Sequence, residues 1–164
     1  MMSTRRETIR RIAEALRSLY PEREALQIAR ILVAERSGLT PTELLVNSDE
    51  TVRIEGLEEQ IAALAAGRPL QYVLGCTEFC GLRIGVREGV LIPRPETEEL
   101  VMRIVRQAPP SPTVLDIGTG SGCIAIALDR LIAGAEVHAV DLSERALAIA
   151  RENAAALGLS LIHI

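Results

Sequence analysis

The sequence predicts an α/β fold: a bundle of short amphipathic helices, followed by the opening of a doubly wound parallel sheet. Three observations carry this. Apolar residues recur every three to four positions through the first seventy or so residues. The period changes to that of strands from Gly75. From Thr113 onward, strand-like and helix-like segments alternate across short turns.

Residues 4–19 hold the first helical rhythm, with Ile9, Ile12, Leu16 and Leu19 on one face. Tyr20-Pro21 ends it, because the residue before a proline is pushed out of the α region. Ala25, Ile28, Ala29, Leu32 and Val33 form a second face that stops near Ser37-Gly38, a C-cap pattern. Thr40-Pro41 is an N-cap followed by proline at the first helical position. Leu57, Ile61, Leu64 and Ala65 make a further helix, closed by Gly67 and Pro69. Helices this short need packing partners to be stable. From Gly75, the residues Phe79, Leu82, Ile84, Val86, Val90 and Leu91, set among Gly81, Gly85 and Gly89, predict a β-hairpin. A helix opens at Ile92-Pro93-Arg94-Pro95-Glu96-Thr97-Glu98 and runs to about Gln107, ahead of the stiff Pro109, Pro110, Ser111, Pro112 segment. Then come a strand from Thr113 to Ile117, a helix from Ser121 to Ile132, a strand from Ala135 to Val140, and a helix capped by Ser143.

Composition narrows the function. The 164 residues are 48% hydrophobic and 24% charged, as in ordinary globular proteins. A net charge of −4 argues against a direct nucleic-acid partner, and so does the scarcity of stacking aromatics (Tyr20, Tyr72 and Phe79, no Trp). All 18 basic residues are arginine, read as coding bias. Cys76, Cys80 and Cys123 form no C-x-x-C pair and have no His cluster beside them, so no metal site is expected. The odd cysteine count, with no signal peptide, fits the cytoplasm, and no apolar run reaches membrane-spanning length. The Arg-rich start is interrupted by Glu7 and Glu14, which favours a domain helix over a transit peptide.

The chemistry concentrates at Leu115-Asp116-Ile117-Gly118-Thr119-Gly120-Ser121-Gly122, between a strand and a helix. Glycines let such a turn bend sharply and approach a ligand closely. A dinucleotide fingerprint needs G-x-G-x-x-G, but here the third glycine comes one position early and Cys123 stands where it would belong, so an oxidoreductase is a remote alternative. A Walker A loop is excluded for want of Gly-Lys-Ser/Thr. Asp141 ends the next strand, on the carboxyl edge where doubly wound sheets bind ligands. The bland readings are a ligand-free tight turn, and an aspartate that helps to cap the helix at Ser143.

G-x-G-x-G after an acidic residue resembles motif I of class I methyltransferases. Gly67-Arg68-Pro69-Leu70-Gln71-Tyr72-Val73-Leu74-Gly75, then Glu78-Phe79-Cys80-Gly81-Leu82, then Gly89-Val90-Leu91-Ile92-Pro93-Arg94-Pro95-Glu96-Thr97-Glu98, resemble the PrmC/HemK family. Those enzymes methylate the side-chain amide of the glutamine in the Gly-Gly-Gln loop of peptide chain release factors, using S-adenosylmethionine. The resemblance covers the chain to about residue 158. It implies a helical N-terminal domain over residues 1–74 that binds the release factor, a hairpin linker over 75–95, and the start of a Rossmann-like methyltransferase domain over 96–164. It implies that Asp116, Gly118, Thr119, Gly120, Ser121, Gly122 and Asp141 hold the cofactor, with loop and Asp141 facing one another across its pocket. Arg94, Pro95, Glu96 and Thr97 would lie against its methionine end.

Related methyltransferases acting on a ribosomal-protein glutamine depart after the Pro-Arg, so Pro93-Arg94-Pro95-Glu96-Thr97 favours the release-factor branch. A protein-binding helical module over residues 1–74 is a further alternative. The family's Asn-Pro-Pro-Tyr loop, whose Asn side chain and Pro carbonyl hold the substrate amide, is absent. The asparagines are Asn47 and Asn153. The chain is therefore expected to be a fragment: monomeric, marginally stable, weak in cofactor binding and inactive alone. Leu159-Ser160-Leu161-Ile162-His163-Ile164 departs from the preceding Ala- and Arg-rich usage and matches one frame of a common sequencing-adapter end, so these six residues are expected not to be native.

Overall fold

A computed structural model describes residues 3–159. The hypothesis about the terminal hexapeptide falls, except for Leu159, outside the described residues. The chain divides into two compact units, Met1–Leu74 and Gly75–Ile164.

The first unit is helical: α1 (Arg5–Leu16), α2 (Glu22–Ser37), α3 (Pro41–Val46), α4 (Leu57–Ala65) and α5 (Leu70–Leu74). Ile12, Leu16, Ala25, Ala29, Leu32, Val33, Leu44, Ile61 and Leu64 form its buried core. The start signals act as sequence patterning expects. Thr40 and Glu43 form a capping box on α3 with Pro41 in the first turn, and Glu43 has its carboxyl held below the usual range by the Thr40 backbone N–H and hydroxyl. Gly38 ends α2 at φ +65°, a left-handed cap.

Two features differ from the sequence reading. The first helix stops at Leu16, and Leu19 is 49% exposed, because Arg17–Tyr20 turn away before Pro21. Two short strands, β1 (Ser3–Thr4) and β2 (Thr51–Val52), pair antiparallel. Beside them the Arg5 and Arg6 N–H groups donate to Glu50 O and Ser48 O, each at 2.9 Å. The loop carbonyls satisfy donors that the first turn of a helix cannot pair internally.

In the second unit, β3 (Cys76–Phe79) and β4 (Leu82–Gly85) form an antiparallel hairpin. Its two-residue turn has positive φ at both Cys80 (+50°) and Gly81 (+73°), the handedness that suits strand twist. The hairpin is shorter than expected. Beyond Gly85, Val86 N–H returns to Gly75 O, and Val90 and Leu91 lie outside any strand, Leu91 being 72% exposed. Arg87 makes a two-pronged ion pair with Glu152 at 2.6 and 2.7 Å. Both side chains are about half exposed, so the pair contributes only about 0.2–1 kcal/mol.

Next come α6 (Pro95–Gln107), β5 (Thr113–Ile117), α7 (Cys123–Leu131), β6 (Glu136–Val140) and α8 (Glu144–Ala156). The helix expected from Ser121 to Ile132 is two residues shorter at its start, because Gly122 adopts φ +80° as its N-cap. β5 and β6 pair in parallel, with Asp116 opposite Ala139 and Ile117 opposite Val140, so α7 is the crossover between them. Val137 and Ala139 are buried, whereas Leu115, Ile117 and Val140 on the other face are 57%, 77% and 39% exposed. Parallel strands ordinarily bury both faces. Among the described residues, one apolar face of this sheet is uncovered. No helix among the described residues is long and apolar enough to cross a membrane.

Candidate functional site

The turn after β5 is built by backbone hydrogen bonding to the next strand. Gly118 N–H and Thr119 N–H both donate to Val140 O, at 2.8 and 3.1 Å. Gly122 N–H closes the turn onto Thr119 O at 2.9 Å. Gly118, Gly120 and Gly122 all have positive φ, +77°, +57° and +80°, which explains three glycines in five positions. Their surroundings differ. A Cβ on Gly118 or Gly120 would meet no heavy atom within 4 Å, whereas one on Gly122 would meet Ala150 Cβ at 3.0 Å and Ile126 Cδ1 at 3.2 Å. The first two glycines border open space, while the third allows α7 and α8 to approach closely.

Asp141 stands directly against this turn. Its Oδ2 accepts from Gly120 N–H and its Oδ1 from Ser143 N–H, each at 2.9 Å. The loop and the carboxylate are thus on one edge of the sheet and in contact. The two elements are joined directly, Gly120 N–H donating to the carboxylate, and open space borders Gly118 and Gly120. The Ser143 and Gly120 N–H groups hold the Asp141 carboxyl below its usual range, so it is anionic at neutral pH. Both bland readings also describe real contacts, since Asp141 orders the turn before α8, and Ser143 Oγ caps α8 by accepting from Ala146 N–H at 3.2 Å.

Asp116 is half-buried, and its Oδ2 accepts from the buried Thr119 hydroxyl at 2.7 Å. That bond spends one of the carboxylate's lone pairs and leaves Oδ1 able to accept from a ligand. Ser121 is 2% exposed. Thus Asp116, Gly118, Thr119, Gly120, Ser121, Gly122 and Asp141 come together at one sheet edge. Arg94, Pro95, Glu96 and Thr97 are placed differently. They start α6, with Arg94 as N-cap, Glu96 in the first turn and Thr97 N–H donating to Arg94 O. Among the described residues no hydrogen bond joins them to the loop or to Asp141.

The sequence reading missed Asn153. It is 6% exposed and hydrogen-bonds both Gly85 and Ser121. The signal was present: residues 146, 147, 149, 150, 153 and 154 form the buried stripe of α8, and Asn153 is its polar member.

A parallel strand, a glycine turn, a crossover helix and an acid at the end of the next strand define the opening of a doubly wound α/β domain with a ligand-type turn at its carboxyl edge. Residues 96–161 match the family model of the ribosomal protein L11 methyltransferase (PrmA), and residues 7–75 match the PrmC N-terminal domain. The release factor glutamine methyltransferase of Bacteroides thetaiotaomicron is 43% identical over 145 residues, covering 87% of this chain and 52% of the relative. That of Geobacter sulfurreducens is 41% identical over 154 residues, covering 90% and 54%. A solved ribosomal protein L11 methylase from Lactobacillus delbrueckii subsp. bulgaricus aligns with 49% of this chain and 42% of its own, at 38% identity and a TM-score of 0.41. Over most of its length the chain is similar to part of the curated release factor glutamine methyltransferases, and its first residues match their N-terminal domain model. It spans about half the length of the curated relatives it matches.

Proposed function

We propose that the chain takes part in S-adenosylmethionine-dependent methylation of the glutamine side-chain amide in the Gly-Gly-Gln motif of peptide chain release factors. The observation that carries this reading is the Gly120 N–H···Asp141 hydrogen bond, which sets a glycine turn and an anionic carboxylate side by side at the carboxyl edge.

The residues fit the cofactor. The space where side chains at 118 and 120 would stand is open, and the ligand has no phosphate that would call for a basic clamp. Asp141 uses two of roughly four lone-pair positions on backbone N–H groups, which leaves acceptors for two ribose hydroxyls. Asp116 Oδ1 is the acceptor for the cofactor's ammonium. Bound S-adenosylmethionine supplies an activated methyl group. The contribution of this chain is to hold that ligand in one orientation with groups already fixed by Val140 O, Ser143 N–H and Thr119 Oγ1. Fixed dipoles and a fixed pose are what a weakly nucleophilic amide nitrogen needs from its enzyme. In this reading residues 1–74 engage the release factor, and Arg94, Pro95, Glu96 and Thr97 border the methionine end.

The test is transfer of labelled methyl from S-adenosylmethionine by the product of the source locus. Label is expected on purified release factor, and not on a release factor whose Gly-Gly-Gln glutamine is changed to alanine. Label on a ribosomal protein instead moves the assignment to the neighbouring branch. Absence of label on either overturns it.

A further inference from the structure

Asn153 lies on the buried face of α8, yet both of its side-chain N–H groups and its carbonyl oxygen are engaged. Nδ2 donates to Gly85 O at 2.9 Å and to Ser121 O at 2.8 Å, and Oδ1 accepts from Gly85 N–H at 2.8 Å. The amide thus pairs with both backbone groups of Gly85, as a neighbouring strand would, and spends its second hydrogen on the glycine turn. The three elements it joins are far apart in sequence: β4 ends at residue 85, the turn spans 118–122, and α8 carries residue 153.

Gly85 is shaped for this contact. Its φ is not in the left-handed region, so glycine is not required there by backbone conformation. A Cβ at that position would come within 2.6 Å of Asn153 Oδ1, so glycine is required by space. The same stretch lies against α8 at two further places. Arg87 pairs with Glu152, and a Cβ on Gly89 would meet Arg145 Cδ at 2.7 Å. Those two contacts involve exposed, flexible side chains. Of these three contacts, that of Asn153 is the buried one and the one that also hydrogen-bonds the turn. Aspartate could not replace it, because a carboxylate would face the carbonyls of Gly85 and Ser121 with no hydrogen to donate.

Resting on the reading of 118–122 as the cofactor turn, we propose that Asn153 is a positioning residue for the reaction. It locks the hairpin, and hence the chain that runs on to Arg94–Thr97, at a fixed distance from the cofactor turn. It touches no ligand itself. Loosening it releases Ser121 O and lets the two walls of the site drift apart, so cofactor affinity falls further than global stability does.

The experiment compares the chain with Asn153→Asp, Gly85→Ala and Ile149→Val. The last is a packing loss at another buried position of α8. Amide hydrogen exchange and the affinity for S-adenosylhomocysteine are measured beside the melting temperature. Asn153→Asp is expected to speed exchange at Gly85, Gly120 and Gly122 by about tenfold, the scale of one lost buried hydrogen bond. Exchange inside α7 should follow only the change in melting temperature. S-adenosylhomocysteine should bind about tenfold more weakly than to an Ile149→Val protein of similar melting temperature. Gly85→Ala, which keeps the asparagine but pushes its amide aside, should give the same pattern and keeps the test decisive if Asn153→Asp does not fold. Uniform acceleration across α7 and the turn, or equal affinity loss in Ile149→Val, would overturn the proposal. If the unaltered chain fails to bind S-adenosylhomocysteine, the cofactor reading fails. The exchange pattern then still decides whether Asn153 couples hairpin to turn.

Discussion

Gly122→Ala is expected to destabilise the second unit by about 2–5 kcal/mol, while Gly118→Ala costs about 1–2 kcal/mol and removes ligand affinity instead. Both positions have left-handed φ, +80° and +77°, so both pay the penalty of a Cβ in that region, on the order of 1–2 kcal/mol. The difference lies in what surrounds them. At Gly122 the new methyl would press on Ala150 Cβ, Ala150 Cα and Ile126 Cδ1 at 3.0–3.3 Å. Two of those atoms belong to a small residue on the facing helix that cannot rotate aside, so overpacking adds about 1–3 kcal/mol. At Gly118 the methyl meets nothing within 4 Å, and it occupies space assigned to the cofactor. Urea unfolding together with S-adenosylhomocysteine titration separates the two outcomes. A Gly122→Ala loss below about 1 kcal/mol would contradict the close packing of α7 on α8.

Asp141→Asn is expected to weaken S-adenosylhomocysteine binding by about tenfold or more, near the lower end of the effect of a hydrogen bond to a charged group, because the carboxylate is partly exposed. The amide presents one oxygen where the carboxylate presented two. Either Gly120 N–H or Ser143 N–H then faces an NH2 group, and the turn loses a tether. The pH dependence has a definite sign. Because the folded-state pKa lies below the ordinary aspartate value, the contribution of Asp141 is fully present above the unfolded pKa and is lost as pH falls through the lowered one. Binding by the unaltered chain should be flat in this respect across neutral pH and decline only below the usual carboxylate range. A decline centred near pH 6 would mean that another group governs the site.

Much of this site was legible because its determinants are local. A three-glycine turn needs left-handed backbone, and an aspartate two residues before a serine cap orders its own turn. Both patterns stand in the sequence at fixed spacing. The N-cap at Thr40-Pro41 and the left-handed stop at Gly38 were readable for the same reason. What escaped depends on partners distant in the chain. Asn153 looks like a misplaced polar residue on an apolar stripe until Gly85 and Ser121 are brought to it. The pairing of Ser3–Thr4 with Thr51–Val52 brings the 48–50 loop to the first turn of α1, where its carbonyls accept from Arg5 and Arg6 N–H while Thr4 Oγ1 accepts from Glu7 N–H. Val90 and Leu91 continue a strand-like alternation, but α8 takes over the backbone groups of Gly85, so the ladder ends there. Leu19 keeps helical spacing and still sits in solvent, because Pro21 forces the chain to turn first. The apolar face of Leu115, Ile117 and Val140 follows from the alternation along β5 and β6, and nothing local to those strands states what should cover it.

The turn at 118–122 and Asp141 are expected to hold one adenosyl ligand between them and the solvent. Amide chemical-shift mapping of the 15N-labelled chain titrated with S-adenosylhomocysteine tests this most directly, since it reports weak binding and where it occurs. The largest shifts are expected at Gly118, Gly120 and Asp141, with little change in α1 to α5. Shifts confined to other residues, or none at millimolar ligand, would contradict it.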